Sequence, residues 1–203
     1  MHRLWKSFGS TENQAAMKTI VVGSGIIGSS VAYHLAVRGA EVTVVTGDCP
    51  GGIATTASFA WINAAPGNSR SYFEFRLKAM LDWHRLQHEL DGTLLVNWNG
   101  SLWWEDEMEV VEEKTSESAL WGYPIRVVSR AEAREQEPSL RQHPNRSVYS
   151  AIEGSAPPLQ TARLLLDRAT ACGAVIYTDS VLALTAERGR ATGVRTSSGF
   201  IQA

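Results

Sequence analysis

Cysteine is scarce in this sequence, with only Cys49 and Cys172 among 203 residues. Two thiols exclude a disulfide framework, and with no C-x-x-C spacing neither has a redox partner close in sequence. They read as reduced thiols of a cytoplasmic protein. An excess of one charge sign is missing as well. Nineteen Lys and Arg stand against 21 Asp and Glu, for a net charge of -2, and no basic face offers itself to nucleic acid. No apolar run approaches the ~20 residues that span a bilayer, so no transmembrane segment is expected. Metal-ligand sets are lacking too. His84 and His88 sit at i and i+4, but neither an H-E-x-x-H motif nor a third ligand accompanies them, so no metal is expected.

What remains is the composition of a soluble globular protein, long enough for one core and part of a second. Residues 1–16 (MHRLWKSFGSTENQAA) fit neither a fold element nor a targeting signal. They read as a flexible extension ahead of Met17. The information is concentrated in residues 18–46, KTIVVGSGIIGSSVAYHLAVRGAEVTVVT. Thr19–Val22 is a β-branched apolar run suited to a buried strand. Gly23-Ser24-Gly25-Ile26-Ile27-Gly28 follows at once. A helical pattern then opens, with Ile27, Val31 and Leu35 as its apolar face, and closes at Gly39. Val42–Val45 is a second buried strand. Strand, glycine turn, helix and strand in this order are the context in which G-x-G-x-x-G indicates a dinucleotide site. Gly23 permits the tight turn, Gly25 leaves room for a pyrophosphate, and Gly28 lets helix and strand pack closely. Free amides at the helix start favour phosphate charge.

A dinucleotide unit ordinarily ends its second strand with an acidic residue that takes the ribose hydroxyls. Here that position, eighteen residues after Gly28, is Thr46, with Asp48 two residues further on. Either could serve the ribose. Residues 48–67, DCPGGIATTASFAWINAAPG, form a loop of small and hydroxyl side chains. Because Phe59, Trp61 and Ile62 occur together, the loop is expected to tuck inward.

The fingerprint followed by G-G-x-x-x-x-x-S-F-A-W-I-N resembles the FAD-dependent D-amino-acid oxidase superfamily, which includes glycine oxidase, sarcosine oxidase and D-amino-acid dehydrogenase-like enzymes. The likeness covers Met17 to about Asn63 closely and residues 150–203 in pattern. It implies FAD contacts at Gly23, Ser24, Gly25, Ile26, Ile27 and Gly28, then at Thr55, Thr56, Ala57 and Ser58. It maps the family's acidic ribose residue to Thr46, a departure, and a backbone contact with the adenine to Val181. It implies hydride transfer to the flavin from a small-molecule amine or amino acid. Trp61 and Asn63 fall where the family approaches the flavin. Arg70 and Arg76 could pair a substrate carboxylate, although solvated arginines at a helix start are the plainer reading. Family members continue beyond the equivalent of Ala203, so the sequence reads as an N-terminal half, and no catalytic residue is assigned. A non-catalytic FAD-binding fragment and an NAD-dependent dehydrogenase are the alternatives. The oligomeric state is left open.

The rest of the chain divides accordingly. Residues 70–91 form a helix with a Met80, Trp83, Leu86, Leu90 stripe, ended by Gly92. Leu94–Val96 and Leu102–Trp104 read as strands about the turn at residues 97–100, with a cluster of Trp98, Trp103, Trp104 and Trp121. A helix over 105–119, a strand at Ile125–Val128 and a capping box at Ser129–Glu132 follow. Pro157 and Pro158 lead a helix facing inward through Ala162, Leu165, Leu166, Ala169 and Cys172. A strand at Ala174–Tyr177 and a β-meander from Val181 complete the pattern. The expected class is α/β: a Rossmann-like FAD-binding domain of residues 17–92 and 151–203 with a β-meander, plus part of an inserted α+β substrate domain at 93–150.

Overall fold

The computed structural model describes residues 17–47, 51–64 and 67–203. Residues 1–16, Asp48 and Cys49 therefore lie outside the described residues. The elements in chain order begin with β1 (Lys18–Val22), α1 (Ile26–Val37), β2 (Glu41–Thr46), α2 (Ile53–Thr56), β3 (Trp61–Ile62) and α3 (Arg70–Glu89). They continue with β4 (Ser101–Trp103), α4 (Met108–Leu120), β5 (Ile125–Ser129), α5 (Arg130–Gln136), β6 (Arg146–Ser150) and β7 (Gly154–Ser155). The chain finishes with α6 (Pro158–Ala171), β8 (Val175–Thr178), β9 (Val181–Glu187), β10 (Arg190–Thr196) and β11 (Phe200–Gln202).

Two compact units emerge, one joining the chain up to Thr56 with Ala162–Ala203, the other formed by Ala57–Thr161. The inserted unit thus begins earlier than residue 93 and takes α3 with it. The reason is packing. Phe73 and Met80 of α3 are buried with Ile62, Ala64, Tyr123 and Ala156, and Leu77 and Trp83 pack on the same core.

In the first unit, β1, β2 and β8 form a parallel sheet with β2 in the middle. Val42, Val44 and Val45 of β2 are almost fully buried, as a central parallel strand requires. The α1 face differs from the expected one. Ile27 and Val31 are exposed, whereas Ser29, Ala32, Tyr33 and Ala36 are buried. Close approach explains the choice of small residues, since a Cβ added at Gly28 would stand 2.0 Å from the Gly23 carbonyl oxygen. In α6, Ala162, Leu165, Leu166 and Ala169 are buried as read, while Cys172 is exposed.

The β-meander forms as expected, in the order β11-β10-β9. Asp179 anchors its start. The Asp179 amide donates to the Thr46 carbonyl at 2.7 Å. Its carboxylate accepts from the Ser197 hydroxyl, from the Ser180 amide at 2.7 Å and from the Ser198 amide at 3.1 Å.

In the second unit, β4, β6 and β5 make an antiparallel sheet and β3 pairs with β7. Leu94–Val96 does not form the expected strand. The Gln87 side-chain amide serves the Leu94 and Val96 carbonyls at 3.4 and 3.5 Å, in place of a ladder. β4 pairs instead with β6. Of the four tryptophans, Trp98 and Trp121 pack on the same core. Trp98 stacks on His84 at 3.9 Å, Trp103 lies under the Lys114 ammonium, and Trp121 packs against Phe73. The capping box at Ser129 and Glu132 is present, and with Arg126 it holds the Glu132 carboxyl down at about 2. Among the described residues no helix is long and apolar enough to cross a membrane.

The hydroxyl of Ser197, then that of Thr196, holds the Asp179 carboxyl well below the ordinary carboxylate range. A depressed folded-state value gives stability that is present above the unfolded value and is lost as pH falls through the folded one. Asp179→Asn is therefore expected to lower the melting temperature at neutral pH. The gap to the parent protein should narrow progressively below about pH 4. A gap that stays constant down to acid pH in thermal scans would contradict the anchor.

Candidate functional site: a glycine cradle and a buried carboxylate hub

The cradle begins where β1 ends. Gly23 takes a φ of +95°, a region that favours glycine, and its amide donates to the Val45 carbonyl at 2.7 Å. Gly25 then forms the N-cap of α1 in extended conformation, without a side-chain cap of its own. The second loop folds back onto this turn. A Cβ at Gly25 would lie 3.2 Å from the Thr55 hydroxyl, and one at Gly52 would lie 2.9 Å from the Gly25 Cα. Two backbones thus meet at a point where a side chain on Gly52 would collide with the Gly25 backbone and one on Gly25 would crowd the Thr55 hydroxyl.

Two hydrogen bonds lock the contact. The Ile26 amide donates to Thr55 Oγ1 at 3.0 Å, so Thr55 caps α1 from 29 residues away. The Gly51 amide donates to Ser24 Oγ at 3.1 Å, and Ser24 Oγ lies 2.7 Å from Thr46 Oγ1. Ser24, Thr46 and Thr55 are all buried. Of the first-turn amides, Ile26 is taken by Thr55, and among the described residues those of Ile27 and Gly28 are left for an anion. A diphosphate fits this arrangement, with open helix-start amides, no Cβ in the way and a buried hydroxyl beside them. Among the described residues no carboxylate stands at the end of β2 to hold a ribose: the last strand residue is Thr46, and its hydroxyl is turned to Ser24.

The remaining residues singled out from the sequence are placed as follows. Thr56 is exposed and donates to the Ile53 carbonyl at 2.8 Å. Ala57 is exposed, and Ser58, also exposed, accepts from the Ala60 amide. These two belong to the second unit, unlike Thr55 and Thr56. Val181, half-buried, opens β9 opposite Thr196. Phe59 does not tuck inward and is 82% exposed. Arg70 pairs with Glu74 at 2.8 Å, and Arg76 is bonded to the Asn63 side chain and to its carbonyl at 3.1 Å. Both guanidiniums are thus engaged within the protein.

The second unit holds a group that the sequence reading missed. Glu153 is fully buried, and no cation is among its hydrogen-bonding partners. Its Oε2 accepts from the Trp61 indole at 2.7 Å and from the Ser101 hydroxyl at 2.5 Å. Its Oε1 accepts from the Tyr123 hydroxyl at 2.6 Å. Tyr123 in turn accepts from the Ala64 amide at 3.0 Å, so one carboxylate grips both ends of the Trp61–Ala64 segment. Burial first, and then Glu153, push the Tyr123 hydroxyl well above its ordinary range. The signal in the sequence was a single acid within the small-residue run Tyr149–Ala156. Glu153→Gln retains one acceptor but puts an amide donor against a donor, so a stability loss of about 1–3 kcal/mol is expected by chemical denaturation. An unchanged midpoint would contradict the hub.

Comparison with known proteins matches residues 18–203 to the FAD dependent oxidoreductase (DAO) family. The chain is 29% identical over 185 residues to an anaerobic glycerol-3-phosphate dehydrogenase subunit A1 of Haloferax volcanii, covering 86% of this chain and 30% of that protein. It is 39% identical over 77 residues to a glycine oxidase of Bacillus licheniformis, covering 36% of this chain and 20% of that one. The glycine oxidase structure from Bacillus cereus superposes with a TM-score of 0.82 at 25% identity, over 92% of this chain and 53% of that one. The chain therefore spans no more than about half the length of these three proteins. With a match across residues 18–203, the chain belongs to the FAD dependent oxidoreductase (DAO) family.

Proposed function

We propose that the protein takes part in FAD-dependent oxidation of a small amine or amino acid, of the D-amino acid, glycine or N-methyl amino acid class. The observation that carries this reading is the glycine cradle, in a chain whose likeness to glycine oxidase extends over 92% of its length. FAD, when bound, supplies the hydride acceptor. The chain's own residues hold and orient. The amides of Ile27 and Gly28 and the Thr55 hydroxyl would receive the diphosphate, and Val181 would meet the adenine through its backbone. Trp61 and Asn63 would line the substrate site, where their task is to fix the donor carbon and keep water away. Glu153 sets the Trp61 indole and Arg76 sets Asn63, so neither side chain has to be ordered when substrate arrives. With Arg70 and Arg76 committed, neither is assigned to a substrate carboxylate. The scarcity of cysteine agrees with a cytoplasmic location.

The donor class is tested by anaerobic reduction of the FAD-loaded protein. Bleaching of the flavin absorbance by glycine, sarcosine or D-alanine is the expected result. Bleaching by glycerol 3-phosphate alone would replace the amine with an alcohol donor. Gly25→Val tests the cradle itself. The branched side chain would press on Thr55 and on the diphosphate position, so the purified variant is expected to retain no flavin absorbance after desalting. Stoichiometric flavin in that variant would refute the placement.

A further inference from the structure

The end of β2 is where a dinucleotide unit ordinarily reads the ribose. In this protein the groups at that edge are otherwise occupied. The Thr46 hydroxyl, 6% exposed, lies 2.7 Å from the Ser24 hydroxyl. Ser24, 1% exposed, accepts the Gly51 amide at 3.1 Å. The Thr46 carbonyl is taken by the Asp179 amide. The next residue, Gly47, has no side chain. The neighbouring carboxylate on the same sheet edge, Asp179, is committed to Ser180, Ser197 and Ser198. Among the described residues, the carboxyl edge of the sheet therefore presents no carboxylate free to take two ribose hydroxyls.

We propose that Thr46 is a positioning residue and not a ribose ligand. Its hydroxyl, through Ser24, holds the Gly51 amide and so sets the spacing between the glycine turn and the second loop. No described group at this sheet edge reads the adenosine ribose, and recognition rests on the diphosphate. This depends on the assignment of the glycine turn to a dinucleotide diphosphate.

The chemistry favours this division. A Ser–Thr hydroxyl pair is neutral and can be buried with its hydrogen bonds satisfied, whereas a carboxylate in the same place would have to be desolvated or turned outward. The Gly51 amide that the pair holds is next in sequence to Gly52, whose added Cβ would stand 2.9 Å from the Gly25 Cα. A wrong spacing there moves Thr55 off the Ile26 amide and disturbs the diphosphate seat for every ligand, whatever its sugar.

Calorimetric titration of the whole chain with ADP and with 2′-deoxy-ADP tests the proposal. The expected result is equal Kd values within about twofold, since no charge-assisted hydrogen bond to the 2′-hydroxyl is lost. Thr46→Val is expected to weaken both ligands in equal proportion, by about five- to tenfold, and Thr46→Ser to restore both. Should Thr46→Val fail to fold, Ser24→Ala, which removes the other half of the pair, is expected to show the same equal weakening. A preference for ADP of about tenfold or more in the parent protein would overturn the proposal, because some carboxylate, Asp48 included, would then be reading the sugar. A folded Thr46→Val with unchanged Kd for both ligands would overturn it too. Failure of the parent protein to bind either nucleotide would defeat the diphosphate assignment and the proposal with it.

Discussion

The first unit depends on a backbone-to-backbone contact. Gly25 and Gly52, 27 residues apart, approach until a Cβ on Gly52 would stand 2.9 Å from the Gly25 Cα. Everything nearby follows from keeping that gap closed. Gly28 must be bare because the turn carbonyl of Gly23 lies where its Cβ would be. The helix behind it must present Ser29, Ala32 and Ala36 to the sheet because larger side chains would lift it away. Ser24, Thr46 and Thr55 then supply hydrogen bonds that a pair of glycines cannot. The result is a helix start ordered by the fold itself, so the diphosphate binding proposed for it would have little ordering to do.

The second unit solves its own problem with a different device. Its Trp61–Ala64 segment is held by a buried carboxylate that is satisfied by three neutral donors. Hydrogen bonding of this kind satisfies a polar side chain in the interior. It also makes the segment hard to move, because shifting Trp61 or Tyr123 would leave the carboxylate short of a donor. Gly154, next to Glu153, has its own constraint: an added Cβ would stand 2.3 Å from the Asn97 carbonyl, so β7 can pair with Asn97 only if this residue is glycine.

What the sequence made legible is local. The strand–turn–helix–strand unit, the capping box at Ser129 and the meander from Val181 are written in short-range spacing, and each forms within a residue or two of its expected bounds. Contacts between distant residues were not legible. The Ile27, Val31, Leu35 stripe satisfies helical periodicity as well as the buried small-residue stripe does, and only the Gly28 contact decides between them. Leu94–Val96 looked like a strand because it is apolar, yet its carbonyls are served by a Gln87 side chain. Glu153 carries no short-range signal because its three partners, Trp61, Ser101 and Tyr123, come from three other segments. Thr46 was noticed as a missing acid, but its partner Ser24, 22 residues earlier, gave no sign of the pairing.

The central claim is that the open amides at the start of α1 receive a dinucleotide diphosphate. Amide NMR of the isotopically labelled chain during addition of FAD tests this most directly. The account predicts that the Ile27 and Gly28 amides move downfield and saturate together, while the amides of β4, β5 and β6 stay in place. Saturable shifts that spare Ile27 and Gly28 and fall elsewhere would contradict it.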